Sequence, residues 1–306
     1  MKIAIAPMTV SKIDYLVEWL EGKFDEVELN PGRRLEGDEL VDFVGDAEVF
    51  ILGVEKLNAD VASKLAGKKC IKWGIGIDNI DFAACNACNI DVFRTTGLNA
   101  RAVSELAVGY VMLLLRNQHI SYSAMMSGRW HKVVGKQLAD AKIGILGYGM
   151  IGELVNDTID AIAGTDENIF YNDIDHHIIG GKNFMRVKEL FSECDLITIH
   201  IDNDGGRNNG FVGEELIGSM KNGAYIVNTA RGAVIDYKAL ENNLCRLGGA
   251  ALDVFPDEPN FPDFLIGADN VMFSSHIAGN SEAALRNGAD FVMRSARNII
   301  GGSDGG

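Results

Sequence analysis

The stretch Lys142-Ile-Gly-Ile-Leu-Gly-Tyr-Gly-Met-Ile-Gly-Glu153 constrains this chain more than any other. Ile143, Ile145 and Leu146 read as the end of a buried strand, and helical spacing resumes from Met150 to Ile162. Between them lies Gly147-x-Gly149-x-x-Gly152. In a dinucleotide fold the first glycine permits a tight turn, the second lets backbone approach a pyrophosphate, and the third lets helix and strand pack closely. The free N–H groups and positive end of the helix then face the phosphates. Glycine-rich turns are common, so the motif alone is weak. Here a second strand, Ile169-Phe170-Tyr171, follows and ends at Asn172-Asp173. Asp173 stands about 20 residues past the last glycine, where an acidic side chain can bond the ribose hydroxyls. A carboxylate there repels a 2′-phosphate, and no arginine follows in Ile174-Asp-His-His177. The spacing therefore points to NAD rather than NADP, against the alternative of a structural turn with a surface aspartate.

With 306 residues the chain is long enough for two domains, each with its own core. A formal charge of −15 argues against nucleic acid and anionic membrane surfaces as partners, because both need a basic footprint. An anionic small molecule needs only local positive charge and stays open. The start, Met1-Lys-Ile-Ala-Ile-Ala-Pro7, is too short in its apolar run for a signal peptide and continues as a strand. Five cysteines, an odd number, form no disulfide framework. Cys85-Asn-Ala-Cys88 has metal-type spacing, but no second pair or histidine cluster completes a site. It reads better as small apolar filler on a helix. The expectation is a reduced, cytoplasmic protein without a metal.

Strand and helix signals alternate through the first hundred residues, which argues for a parallel sheet with helices on both faces. Lys2–Pro7, Val27–Leu29, Glu48–Leu52, Cys70–Trp73 and Ile90–Phe93 read as strands. Ser11 reads as the cap of a helix running to about Leu20, with further helices over Asp38–Val44 and Ala59–Ala66. The segment Ala102–Leu115 is apolar almost all round, so a helix there is expected between domains or at a subunit interface, and a homodimer follows. From Lys142 a second alternating series begins, with strands ending near Leu146, Tyr171, Ile201, Asn228, Val254 and Ser274. Six strands is the number two mononucleotide-binding halves supply. Ser281–Ile300 reads as one more helix, and Gly301–Gly306 as a disordered tail.

Three short stretches stand at strand ends of this second series, where open α/β sheets place their ligands. In Asn228-Thr-Ala-Arg-Gly232 the planar fork of Arg231 can bind a carboxylate in two prongs. In Ala251-Leu-Asp-Val-Phe-Pro-Asp-Glu-Pro259 acidic residues surround a turn stiffened by prolines. In Ser275-His-Ile-Ala-Gly279 a histidine lies just past an apolar strand. Singly, Arg231 reads as an ion-pair partner, Glu258 as a solvated loop carboxylate and His276 as a boundary histidine. Together they offer an anion clamp, a proton carrier and a carboxylate to orient it.

These stretches and the glycine loop resemble the D-isomer-specific 2-hydroxyacid dehydrogenase family, of which phosphoglycerate dehydrogenase is a member. The likeness runs from about residue 45 to 298 and includes Trp73–Asp81, Thr96–Asn99, Ser104-Glu105, Gly128-Arg-Trp130 and Met220–Asn228. Asn30-Pro-Gly-Arg-Arg-Leu35 adds a fainter likeness to phosphoglycerate-dehydrogenase-like members. The resemblance implies two Rossmann-like parallel-sheet domains, with an NAD-binding domain (99–280) inserted into a flavodoxin-like substrate domain (1–98 and 281–306). It implies that Arg231 holds the substrate carboxylate, that His276 exchanges the proton and that Glu258 supports it. Asp253 would bond the nicotinamide carboxamide. Gly147, Gly149, Met150, Ile151, Gly152 and Asp173 would hold the rest of the cofactor, with His200, Thr229, Ala230 and Gly279 beside it. Backbone N–H groups at Ile75 and Gly76, together with Asn99, would meet the substrate.

This chain departs from the family at His200-Ile-Asp-Asn-Asp-Gly-Gly-Arg-Asn-Asn209, where members usually show His-x-Pro-x-Thr-x-x-Thr. Ser274-Ser275 stands where Thr-Pro is usual, and near Leu52-Gly53 the arginine that some phosphoglycerate dehydrogenases use for the substrate phosphate is missing. The expected activity is NAD-dependent interconversion of a D-2-hydroxy acid and its 2-keto acid, with phosphoglycerate, glyoxylate or hydroxypyruvate, or a lactate-like acid as substrate. The alternative is an NAD-sensing, corepressor-like interaction protein on the same fold. Formate dehydrogenase is disfavoured, because no glutamine precedes His276 in Val271–Ser275.

Overall fold

Runs of branched apolar residues become parallel strands throughout the computed structural model, which describes residues 1–175, 179 and 181–301. The expected disordered tail beyond Gly301 lies outside the described residues. The chain divides into two compact units, one of Met1–Asn99 with the stretch that begins at Glu282, the other of Ala100–Ser281.

In the smaller unit, β1 (Lys2–Ile5), β2 (Glu26–Leu29), β3 (Val49–Leu52), β4 (Lys69–Lys72) and β5 (Asp91–Phe93) form one parallel sheet in the order β2-β1-β3-β4-β5. That is the flavodoxin-like order. Residues of β3 alternate between two cores. Phe50 and Leu52 pack with Leu40, Val61 and Leu65, whereas Val49 and Ile51 pack with Leu16, Leu20 and Val292. The intervening helices are α1 (Asp14–Glu21), α2 (Asp38–Val44), α3 (Ala59–Lys64) and α4 (Phe82–Ala87). Ser11 does not cap α1. It lies in a short 3-10 turn, and its hydroxyl bonds the carbonyls of Ile5 and Pro7 instead. Cys85 is buried on α4 and Cys88 follows the helix.

The larger unit opens with α5 (Ala100–Leu115) and α6 (Gln118–Met126), then β6 (Ile143–Leu146), α7 (Met150–Ala163) and β7 (Ile169–Asn172). It continues through α8 (Val187–Glu193), β8 (Leu196–Ile199), α9 (Glu214–Ser219), β9 (Tyr225–Asn228), α10 (Tyr237–Asn243), β10 (Gly249–Leu252) and β11 (Val271–Phe273). The sheet order is β11-β10-β9-β8-β6-β7, all parallel. The chain therefore reverses direction across the sheet at β6, the switch point where such folds bind ligands. The six strands do not split three and three. Beyond β7 the described residues include a parallel bridge of Tyr171 with Phe184. Finally α11 (Glu282–Gly301) returns to the smaller unit, where Ala289, Val292, Ala296 and Ile299 are buried at helical spacing. It lies so close to Trp73 that a Cβ at Gly288 would fall 2.7 Å from the indole ring.

The expectation that α5 needs a second surface to hide it is not met. Ala107, Val108, Val111, Leu114 and Leu115 are buried within the larger unit against β6, β8 and α7 residues, while Arg101, Glu105, Met112 and Arg116 face outward. Exposed apolar side chains gather instead on and after α6, at Tyr122, Met125, Met126, Trp130 and Val134. Among the described residues no helix is long and apolar enough to cross a membrane, and no group of three His, Cys, Asp or Glu side chains could hold a metal.

Candidate active site

The C-terminal ends of β6 to β11 carry the candidate residues. At the end of β6 the three glycines have different reasons to be glycine. Gly147 has φ +93°, and a Cβ there would lie 2.7 Å from the His200 carbonyl carbon. A Cβ on Gly152 would come within 2.1 Å of the Gly147 carbonyl oxygen, so only glycine lets α7 start this close to the turn. A Cβ on Gly149 would meet nothing within 4 Å. Met150 and Ile151 begin α7, and no side chain caps the helix.

Asp173, just past β7, folds back on this turn. One carboxylate oxygen accepts the Tyr148 N–H at 2.6 Å and the other the Asp175 N–H at 2.9 Å. The ring of Tyr148 stacks on that of Tyr171, 4.1 Å between centroids. Beyond β8, the His200 N–H donates to the Leu146 carbonyl at 2.7 Å, joining the two strand ends. The imidazole sits 2.9 Å from the Thr198 hydroxyl, and burial pushes its pKa well down. The divergent loop after it is built from its own polar groups: the Asp202 carboxylate accepts the Asp204 N–H, and Arg207 pairs with Asp204.

After β9 the fully buried Asn228 shapes the turn. Its amide oxygen accepts the Ala230 N–H at 3.0 Å and its amide nitrogen donates to the Arg231 carbonyl at 3.0 Å. Thr229 is buried in this turn, and the Arg231 guanidinium donates to the Ala230 carbonyl at 2.8 Å. Gly232 follows because nothing larger fits. A Cβ there would lie 2.0 Å from the Phe255 carbonyl carbon, so the loops after β9 and β10 touch backbone to backbone.

The loop after β10 holds Glu258. One oxygen accepts the Phe255 N–H at 2.9 Å, and the other lies 2.7 Å from Nδ1 of His276. Phe255, Phe261 and Phe273 pack as a ring cluster beneath it. The Glu258 bond raises the pKa of His276 against the opposing pull of burial, with the Asp253 charge adding to the rise and Arg231 lowering it. Burial pushes Glu258 up, but the bonds from His276 and the Phe255 N–H outweigh it and hold the carboxyl below its ordinary range. Half of the His276 side chain remains exposed.

Asp253 follows β10 directly. It is fully buried, and its carboxylate accepts the N–H groups of Ile277 at 2.9 Å and Ala278 at 2.8 Å, as well as the Ser274 hydroxyl. Its carboxylate thus ties the end of β10 to the segment that carries His276. Gly279 lies in the next turn, closed by the Asn280 N–H on the Ile277 carbonyl at 2.8 Å. Ile75 and Gly76, in the loop after β4, and Asn99 belong to the smaller unit. Sequence reasoning missed Tyr110, whose hydroxyl lies 2.5 Å from Ser274 although 164 positions separate them. A tyrosine in an apolar helix gives no sign of such a partner.

A parallel sheet with a glycine turn at its switch point and a Glu–His pair after β10 and β11 fits the NAD-binding oxidoreductases. Residues 108–278 match the family model described as D-isomer specific 2-hydroxyacid dehydrogenase, NAD binding domain. The D-3-phosphoglycerate dehydrogenase of Haemophilus influenzae is 33% identical over 270 residues, which cover 83% of this chain and 64% of that protein. The hydroxypyruvate reductase of Thermotoga maritima is 32% identical over 280 residues, covering 88% of this chain and 90% of that one. In fold, the chain matches the D-lactate dehydrogenase of Aquifex aeolicus, solved with NAD and lactic acid, at a TM-score of 0.85 and 21% identity, over 99% of this chain and 96% of that one. The chain belongs to the D-isomer specific 2-hydroxyacid dehydrogenase family, and its larger unit is that family's NAD-binding domain. It spans 64% of the length of the phosphoglycerate dehydrogenase it matches.

Proposed function

We propose that this protein interconverts a D-2-hydroxy acid and its 2-keto acid with NAD as redox partner. The observation that carries the proposal is the 2.7 Å pairing of Glu258 with His276, on the strand-end edge that also bears Arg231 and the glycine turn. The residues fit the cofactor. Packing within the protein does not require glycine at 149, where a Cβ meets nothing within 4 Å, whereas a pyrophosphate lying against the backbone would. Asp173 would take the ribose hydroxyls, the first turn of α7 at Met150 and Ile151 the phosphates, and His200, Thr229, Ala230 and Gly279 would complete the surroundings. NAD, when bound, supplies or accepts the hydride.

The protein's own part is binding and proton traffic. The Arg231 fork would hold the substrate carboxylate and draw charge toward the carbonyl oxygen. In reduction, protonated His276 gives its proton to that oxygen while carbon gains the hydride, so C=O becomes CH–OH. In oxidation neutral His276 takes the proton back. Glu258 fixes Nδ1, so the other ring nitrogen exchanges with substrate.

Among substrates, a small unphosphorylated keto acid such as glyoxylate, hydroxypyruvate or pyruvate is favoured over phosphoglycerate. Where some phosphoglycerate dehydrogenases carry a phosphate-binding arginine, this chain has none; the Gly53 N–H donates to the buried Glu55 carboxylate and the buried Lys72 ammonium to the Gly53 carbonyl, each at 2.6 Å. The relative matched over 90% of its length is named for hydroxypyruvate. The same proposal includes a cytoplasmic homodimer that covers the apolar patch around Trp130. A panel of 2-keto acids with NADH tests the activity. Turnover of at least one small acid to the D product is expected, and none on any would leave the corepressor-like reading.

A further inference from the structure

Tyr110 on α5 is 6% exposed, and its hydroxyl lies 2.5 Å from Oγ of Ser274. Ser274 in turn bonds Oδ1 of Asp253. Chemistry gives this chain a direction. A carboxylate only accepts, so the single Ser274 proton goes to Asp253, and the proton between the two hydroxyls must come from Tyr110. Asp253 then grips the segment that carries the histidine. Its carboxylate accepts the Ile277 and Ala278 N–H groups, and its carbonyl accepts the His276 N–H at 2.9 Å. His276 itself has φ +54°, a left-handed conformation that a non-glycine residue adopts only where its surroundings hold it. Bonds on both sides of it are what hold it there.

We infer that Tyr110 and Ser274 are positioning residues for His276. Their hydroxyl chain sets the Asp253 carboxylate, Asp253 sets the backbone of residues 276–278, and that backbone aims the imidazole at Glu258 and the substrate. The inference rests on the proposed role of His276 in proton exchange, and extends it to a helix that no contact with substrate would identify. It also gives Asp253 a use that accounts for its burial. The charged groups that bear on the imidazole are Glu258, Asp253 and Arg231, so a loosened segment must register in its titration.

The test compares wild type with Tyr110→Phe, Ser274→Ala and Ser274→Thr. The His276 imidazole is titrated by NMR without cofactor or substrate, and steady-state kinetics follow on the best keto acid. In Tyr110→Phe and Ser274→Ala the midpoint should fall, because contact with Glu258 weakens. The kcat of reduction should fall roughly 3- to 10-fold, a small part of the worth of a positioned acid–base group. KM for NADH should stay within about twofold, since the glycine turn is untouched. Ser274→Thr keeps the hydroxyl and should keep both values near wild type. A lowered melting temperature with unchanged midpoint and kcat would make the pair packing residues only and overturn the inference. If wild type turns over no keto acid while the midpoint still moves in the variants, the positioning link stands and the dehydrogenase reading fails.

Discussion

Nδ1 of His276 and a carboxylate oxygen of Glu258 lie 2.7 Å apart, and each group moves the other's proton affinity in the direction that keeps both charged. Because the bond raises the pKa of His276, the protonated form needed for reduction persists above the ordinary histidine range. Rates of reduction should fall as pH rises through that raised value, and rates of oxidation should rise through the same region. In Glu258→Gln the charge is gone while the shape stays, so both midpoints should move to lower pH. Midpoints that stay put, or move upward, would show that the pairing does not govern the reaction.

Arg231→Lys keeps a positive charge but loses the two-pronged fork. Loss of one charge-assisted bond, worth about 1.5–3 kcal/mol, corresponds to roughly a 10- to 100-fold fall in kcat/KM for the keto acid. Near-wild-type kcat/KM would take Arg231 out of the site.

Asp173 already accepts the Tyr148 N–H, so an alanine would disturb the glycine turn as well as the charge. Asp173→Asn keeps an acceptor and removes the repulsion of a 2′-phosphate. The preference for NADH over NADPH should narrow by about tenfold or more, since unit charges 4 Å apart near a protein surface repel by ~4 kcal/mol. Comparable kcat/KM for the two cofactors in the wild type would refute the assignment.

His119 on α6 is buried edge-on to Tyr225, and burial lowers its pKa against a weaker upward pull from the backbone of Gly248 and Leu113. The unfolded chain takes up a proton below the ordinary histidine value while the folded chain resists it. Stability should therefore decline as pH falls from about 7 toward 5. His119→Gln should flatten this decline, leaving the part due to His200, whose pKa is also lowered by burial. An unchanged slope of melting temperature against pH would contradict the account.

The proposed dimer rests on the patch formed by Tyr122, Met125, Met126, Trp130 and Val134. Sedimentation at micromolar concentration should give twice the mass of one chain, and Met126→Glu with Trp130→Glu should give one. A monomeric wild type would remove the dimer from the proposal.

The glycine turn, the parallel sheets and their strand ends were readable because each rests on local pattern: a glycine spacing, an apolar run, a polar residue where the run stops. Asp253 was not readable in the same way. Its place after Leu252 marks a strand end, but whether its carboxylate turns outward or inward depends on donors at Ser274, Ile277 and Ala278, some twenty residues downstream. Tyr110 looked like one more apolar residue of α5 for the same reason. The apolar surround of α5 promised a partner subunit, yet β6, β8 and α7 residues cover it, and hydrophobicity alone does not say which surface will do so.

The close approach of Gly232 to Phe255 has a bearing on re-engineering. The loop that carries Arg231 and the loop that carries Glu258 are moulded against each other, main chain on main chain. Swapping either one from a relative to alter substrate choice would import a surface shaped for a different neighbour. The transferable module is the pair, from Asn228 through Glu258, and libraries that vary one loop at a time would sample mostly misfitted halves.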